Sequence, residues 1–145
     1  MSELANPRQR FDAVARLYGA AALTRLTASR VAVVGVGGVG SWAAEALARS
    51  GIGALRLIGN YGRPKVAVLA ERLLAINPGL RLEPVQRFLT VEHMDLLEGC
   101  DAVLDACDAL AVKVVMAAFC RLRRQPLVTV GSAGGRGDAT KVRVR

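Results

Sequence analysis

Gly35, Gly37 and Gly40 form the pattern G-x-G-x-x-G, directly after the apolar run 31–34 and directly before a stretch of helical spacing. The chemistry this pattern serves is the holding of a nucleotide phosphate. Gly35 allows the tight turn, Gly37 lets backbone approach the anion, and Gly40 lets helix and strand pack closely. The helix that follows presents N–H groups and a partial positive charge to the phosphate. The same glycines alone would also serve a purely structural turn; the strand–turn–helix context favours the phosphate.

A nicotinamide dinucleotide reader carries an acidic residue about 20 positions further on, at the end of the second strand, to bind a ribose. Here that strand ends Leu57-Ile58-Gly59-Asn60, and only the Asn60 amide is available to a hydroxyl. Carboxylates come later, in Val103-Leu104-Asp105-Ala106-Cys107-Asp108, at the carboxyl end of another strand, where open parallel sheets bind ligands. A carboxylate there suits Mg²⁺ bridging ATP phosphates, which is the reading preferred for Asp108. Asp105 fits that role or the capping of the next helix equally well. Lys65, at a helix start, either reaches β- and γ-phosphates as a mobile charge or is a solvated surface lysine. His93 reads as a surface residue without a role. Cys100, Cys107 and Cys120 form no C-x-x-C pair and read as small core residues with reduced thiols, as in a cytoplasmic protein.

The elements that must position these residues follow from periodicity. Apolar positions at helical spacing over 11–26, broken near Gly19, predict two short helices. Residues 31–34 predict a strand buried on both faces. Residues 41–50 predict a helix packing Trp42, Ala43, Ala46 and Leu47. Further on come strand 54–58, helix 63–76 stopped by Asn77-Pro78-Gly79, strand 80–86, short helix 91–97, strand 103–106, helix 110–124 and strand 127–131, with 136–145 as a hairpin arm. Strands alternating with helices mean crossover units: an α/β, Rossmann-like, doubly wound, mainly parallel sheet with helices on both faces. The expected organisation is an N-terminal helical arm over 1–30, the nucleotide-binding domain over 31–135, and the start of a β-arm over 136–145.

Composition bounds the rest. The 145 residues suit one domain, and 52% hydrophobic content with 4% aromatics means a core of Ala, Val and Leu. The net charge of +8 favours an anionic partner such as a nucleotide, RNA or an anionic membrane, or reflects a solvated basic surface. The first ten residues are polar and charged, unlike a signal peptide, and no apolar run approaches the roughly 18 residues of a membrane span.

The segment Arg16-Leu17-Tyr18-Gly19 and the longer one VVGVGGVGSWAAEALARSGIG from Val33 resemble the tRNA threonylcarbamoyladenosine dehydratases, in the ubiquitin-activating-enzyme-like superfamily of ThiF- and MoeB-type adenylating proteins. KVAVLAERLLAINP from Lys65, DAVLDACDAL from Asp101 and PLVTVGSAGGRGDATKVRV from Pro126 extend the likeness along nearly the whole chain. The resemblance implies ATP-dependent activation of a carboxylate: the threonylcarbamoyl group of a modified tRNA adenosine attacks the α-phosphate of ATP, and the acyl-adenylate closes to a cyclic product with release of AMP. It implies that Gly35, Gly37, Gly38 and Gly40 line the ATP phosphates, that Lys65 is a phosphate lysine, and that Asp108 is linked to Mg²⁺. It also implies tRNA as substrate, a homodimer and sulfur-transfer partner proteins, in the cytoplasm and off the membrane.

The chain departs from the family after the second strand. The family continues Ile-Asp-x-Asp, whose aspartate holds the ribose, and then Asn-x-Asn-Arg-Gln, whose arginine contacts phosphate. Here Ile58 runs through Gly59-Asn60-Tyr61 to Gly62-Arg63-Pro64-Lys65, and roughly two dozen family residues have no counterpart, a length ordinarily functional when it is a loop. Asp138-Ala139-Thr140 replaces Asp-Pro-Thr, and the family continues well past the position of Arg145. The expectation is an adenylating domain with weak ATP binding and little or no turnover. The alternatives are a non-catalytic nucleotide-binding or assembly module and an NAD(P)-dependent oxidoreductase domain.

Overall fold

A computed structural model describes residues 7–60 and 63–131 of the chain. Three helices open it: α1 (Pro7–Arg10), α2 (Asp12–Tyr18) and α3 (Ala20–Ala28). The expected break between two helices falls on Gly19, whose φ of 88° lies in the left-handed region. Then come β1 (Arg30–Val34), α4 (Gly38–Arg49), β2 (Ala54–Ile58), α5 (Arg63–Ile76), β3 (Arg81–Val85), a 3-10 turn (Met94–Leu97), β4 (Ala102–Asp105), α6 (Leu110–Leu122) and β5 (Leu127–Thr129). The hairpin arm expected over 136–145 lies outside the described residues.

Among the described residues all pairings are parallel, in the order β3-β2-β1-β4-β5. This is the Rossmann-like α/β sheet that the alternation of elements requires. Alternation along β1 divides the core into two layers. Val31 and Val33 pack with Ala44 and Ala48 of α4 and Leu69 and Leu73 of α5. Ala32 and Val34 face the other way, onto Met116 and Cys120 of α6 and onto Met94 and Leu97. Each valine fully buried there contributes roughly 1.5–3 kcal/mol. The small alanines let α4 lie close to the sheet, which places its first turn beside the end of β1.

Several local expectations are corrected. The helix assigned to 41–50 begins at Gly38, inside the glycine run, because Ser41 N–H already bonds the Gly37 carbonyl. Its packed face is Gly40, Ala44, Glu45 and Ala48; Trp42 and Ala46 are exposed. Trp42, expected in the core, is 67% exposed, with the Arg72 guanidinium 5.3 Å from its ring centroid. The buried Glu45 takes the helix face instead, because Arg49 and Arg72 both pair with it. Residues 91–97 form only a 3-10 turn, and His93 is half-buried there, with Nδ1 2.8 Å from Thr90 Oγ1.

Among the described residues no long helix covers the sheet between β3 and β4, and charged groups take its place. Glu83 receives Arg30 at 2.9 Å and Arg56 at 3.0 Å. Arg56 then donates to the carbonyls of Leu96 and Glu98, and Arg30 to that of Gly99. Burial raises the Glu83 carboxyl pKa, but the Arg56 hydrogen bond and the Arg56 and Arg30 charges outweigh it and hold the group below the ordinary carboxylate range.

Candidate nucleotide-binding cleft

The carboxyl ends of β1 and β4 lie side by side at the point where strand order reverses, the position at which open parallel sheets leave a crevice. A cavity of about 530 Å³ opens there. Gly35, Gly37, Gly38 and Val39 line it from the turn and α4, Ile58 and Gly59 from the end of β2 and the residue after it, Phe88 and Leu89 from the segment after β3, and Ala106, Cys107, Asp108 and Ala109 from the β4–α6 connection with Val112 from α6.

The glycines divide by what surrounds them. Gly35 has φ 87°, and a Cβ there would stand 2.6 Å from the Ala106 carbonyl oxygen. A Cβ on Gly40 would fall on the Gly35 carbonyl oxygen. Both are required by backbone packed on backbone. Gly37 and Gly38 differ: a Cβ on either meets nothing within 4 Å. These two line the cavity and leave its floor bare, a cradle that side chains would fill. The N–H groups of Gly38, Val39 and Gly40 belong to the first turn of α4 and have no acceptor within the helix. No acidic residue stands in that turn to compete with an anion. The geometry suits a phosphate.

Asp108 lines the cavity and is exposed. Asp105, three residues earlier, is 1% exposed and turned inward. Its oxygens accept the Cys107 N–H at 3.1 Å and the Lys113 ammonium at 2.8 Å, so it neither lines the cavity nor caps α6. Asn60 is exposed beyond the end of β2 and is not among the lining residues, although Gly59 is. Lys65 lies in the first turn of α5, and its side chain is outside the described residues. The three cysteines are free, two buried and Cys107 half-buried. Burial first, then the hydrogen bond to Asp105 and its charge, push the Cys107 thiol up to about 11, so it stays protonated at neutral pH. Among the described residues no cluster of three metal-ligating side chains occurs.

Sequence reasoning missed Lys113 and the apolar wall of Phe88, Leu89 and Val112. Lys113 did carry a signal: it is the single charge in Leu110–Phe119, and a charge in an apolar helix needs a partner. Phe88 carried little, since an aromatic in a loop has no periodicity to read.

The ThiF family model matches residues 11–59 and 58–144. The chain is 43% identical over 157 residues to the tRNA threonylcarbamoyladenosine dehydratase of Escherichia coli K12, covering 94% of this chain and 59% of that protein. It is 36% identical over 164 residues to the protein of that name from Haemophilus influenzae, covering 99% and 63%. It superimposes on the crystal structure of the E. coli enzyme in complex with ATP with a TM-score of 0.83, at 42% identity, covering 92% of this chain and 63% of that one. The chain thus spans about three fifths of the length of the relatives it matches. Both alignments are longer than the 145 residues of the chain, so they contain positions without a counterpart here. The two stretches matched by the family model meet at Ile58 and Gly59, where the family segment was expected to be absent.

Proposed function

The chain belongs to the ThiF family, and we propose that it is an ATP-binding adenylation domain of the tRNA threonylcarbamoyladenosine dehydratase type. The observation that carries this reading is the bare floor at Gly37 and Gly38, in front of the α4 N-terminus. There the backbone N–H groups take phosphate oxygens, while Phe88, Leu89 and Val112 give an apolar wall for a flat purine. Asp108, and Lys65 from the first turn of α5, complete the charge set. Asp108 would hold Mg²⁺ together with ATP phosphates; one carboxylate plus phosphates is an ordinary donor set for that ion, which would spread the phosphate charge.

The reaction we assign joins a threonylcarbamoyl carboxylate oxygen to the α-phosphorus and expels pyrophosphate. The carbamoyl group of the same modified adenosine then closes on the activated carbonyl through its oxygen or nitrogen, gives up its N–H proton, and AMP leaves. This chain's part is to hold two anions close together and to neutralise the charge between them. With the family's ribose aspartate and phosphate arginine absent after Ile58, we expect ATP to bind weakly and adenylation to be slow or absent. That absence favours a second reading, a nucleotide-binding module without turnover.

Calorimetric titration with Mg-ATP, followed by ATP–pyrophosphate exchange with modified tRNA, separates these. Binding with exchange supports the enzyme, binding without exchange the module. Uptake of NADH with no uptake of Mg-ATP overturns both. We further propose a homodimer in the cytoplasm acting on tRNA, with sulfur-transfer proteins as partners. The exposed Leu110, Val114 and Leu122 of α6 and Val128 of β5 support the dimer, and sedimentation equilibrium tests it.

A further inference from the structure

We propose that the buried Asp105–Lys113 pair is a positioning device for the cleft, pinning the segment 106–109, and with it Asp108, against the glycine turn. The proposal rests on reading the cleft as the ATP site, but its geometry stands independently. Lys113 Nζ bonds Asp105 at 2.8 Å and reaches on to the Val130 carbonyl at 3.0 Å. Val130 N–H returns to the Asp105 carbonyl at 2.8 Å. The other Asp105 oxygen holds the Cys107 N–H, one residue before Asp108. Ala106 N–H donates to Val34 at 2.8 Å, and its carbonyl occupies the place a Gly35 side chain would need. One carboxylate and one ammonium therefore join the ends of β4 and β5, the first turns of α6 and the floor of the turn.

Stability alone does not account for such a pair. Two apolar side chains of similar volume generally hold an interior as well as a buried ion pair does. What the pair adds is direction, because its bonds are satisfied only with the backbone at 106–107 and at Val130 in one arrangement. Neither residue lines the cleft, so each acts through the segment that does.

The test is the double variant Asp105→Asn/Lys113→Met, which removes both charges and leaves no buried ion without a partner. Two quantities are measured in protein shown to be folded by its melting curve: ATP affinity by calorimetry, and amide hydrogen exchange by NMR without nucleotide. The expected result is a roughly tenfold weaker ATP affinity. Exchange should quicken about tenfold at Ala106 and Cys107 and stay unchanged in β1 and β2. Unchanged exchange at Ala106 and Cys107 overturns the proposal, as does an affinity within about twofold of wild type. If the wild-type chain takes up no ATP, the ATP reading fails and the exchange measurement alone decides the pin. If the double variant does not fold, Lys113→Arg keeps the charge but replaces a rotatable ammonium by a planar fork. Its expected signature is Cys107 exchange about threefold faster, and a rate equal to wild type overturns the proposal.

Discussion

At the scale of single residues, glycines of one motif have different duties, and substitution separates them. Gly40→Ala forces a methyl group onto the Gly35 carbonyl and should cost roughly 3 kcal/mol of stability. Gly37→Ala meets open space at a φ of −79°, so its melting should stay within about 1 kcal/mol of wild type. Its ATP affinity should nevertheless fall tenfold or more, since the methyl group stands where phosphate is proposed to lie. Thermal melts and calorimetry on both variants check the contrast. The motif already assigned close packing to Gly40 and anion approach to Gly37; what it did not show is that Gly35 is packed against the Ala106 carbonyl, 71 positions further along the chain. The same limit applied to Asp105 and Asp108. They share a strand end and a residue type, and only the position of Lys113 sends one inward and leaves the other in the cleft.

At the scale of elements, long-range side chains decide what periodicity leaves open. Phe11 is 6% exposed, and its ring stands 3.2 Å from where a Gly51 Cβ would lie, beside Leu23, so the N-terminal helices pack tightly against the end of α4. Phe11→Ala should cost roughly 3 kcal/mol, measured by denaturant unfolding. The Arg30–Glu83–Arg56 group does for the β3–β4 crossover what a helix does elsewhere. Since the folded Glu83 carboxyl titrates below its unfolded value, its stabilisation is complete above the unfolded pKa, near 4.3 for an ordinary glutamate. It is lost as pH falls through the folded value. The melting temperature of wild type should therefore drop on acidification below about pH 4.3, and Glu83→Gln should start lower at neutral pH and show a shallower acid slope. Hydrophobic spacing located the five strands found among the described residues, since runs such as 31–34 are continuous when both faces are covered. It misread α4, where an ion pair, rather than Trp42, faces inward.

At the scale of the molecule, the described residues form a five-stranded parallel sheet, while the family segment after Ile58 has no counterpart. Grafting the corresponding segment of the E. coli relative between Ile58 and Gly62 should raise ATP–pyrophosphate exchange above that of the unaltered chain. An unchanged rate would mean that the lost contacts are not what limits turnover. With a net charge of +8, the proposed affinity for tRNA should fall steeply with salt, and filter binding across a salt series measures this.

The seam between β1 and β4 also bears on how the chain folds. Val34 accepts its hydrogen bond from Ala106, and Gly35 N–H donates to Ile58, so the turn is fixed by partners about 70 and 20 residues along the chain. Pairing across such distances costs loop-closure entropy before any contact repays it, and the strand that contributes Ala106 emerges last of the three during synthesis. A nascent chain ending before β4 would possess the whole glycine motif and no place for a nucleotide. Nucleotide capture would thus mark the closing of the central seam, serving as a timer for folding as well as a step towards chemistry.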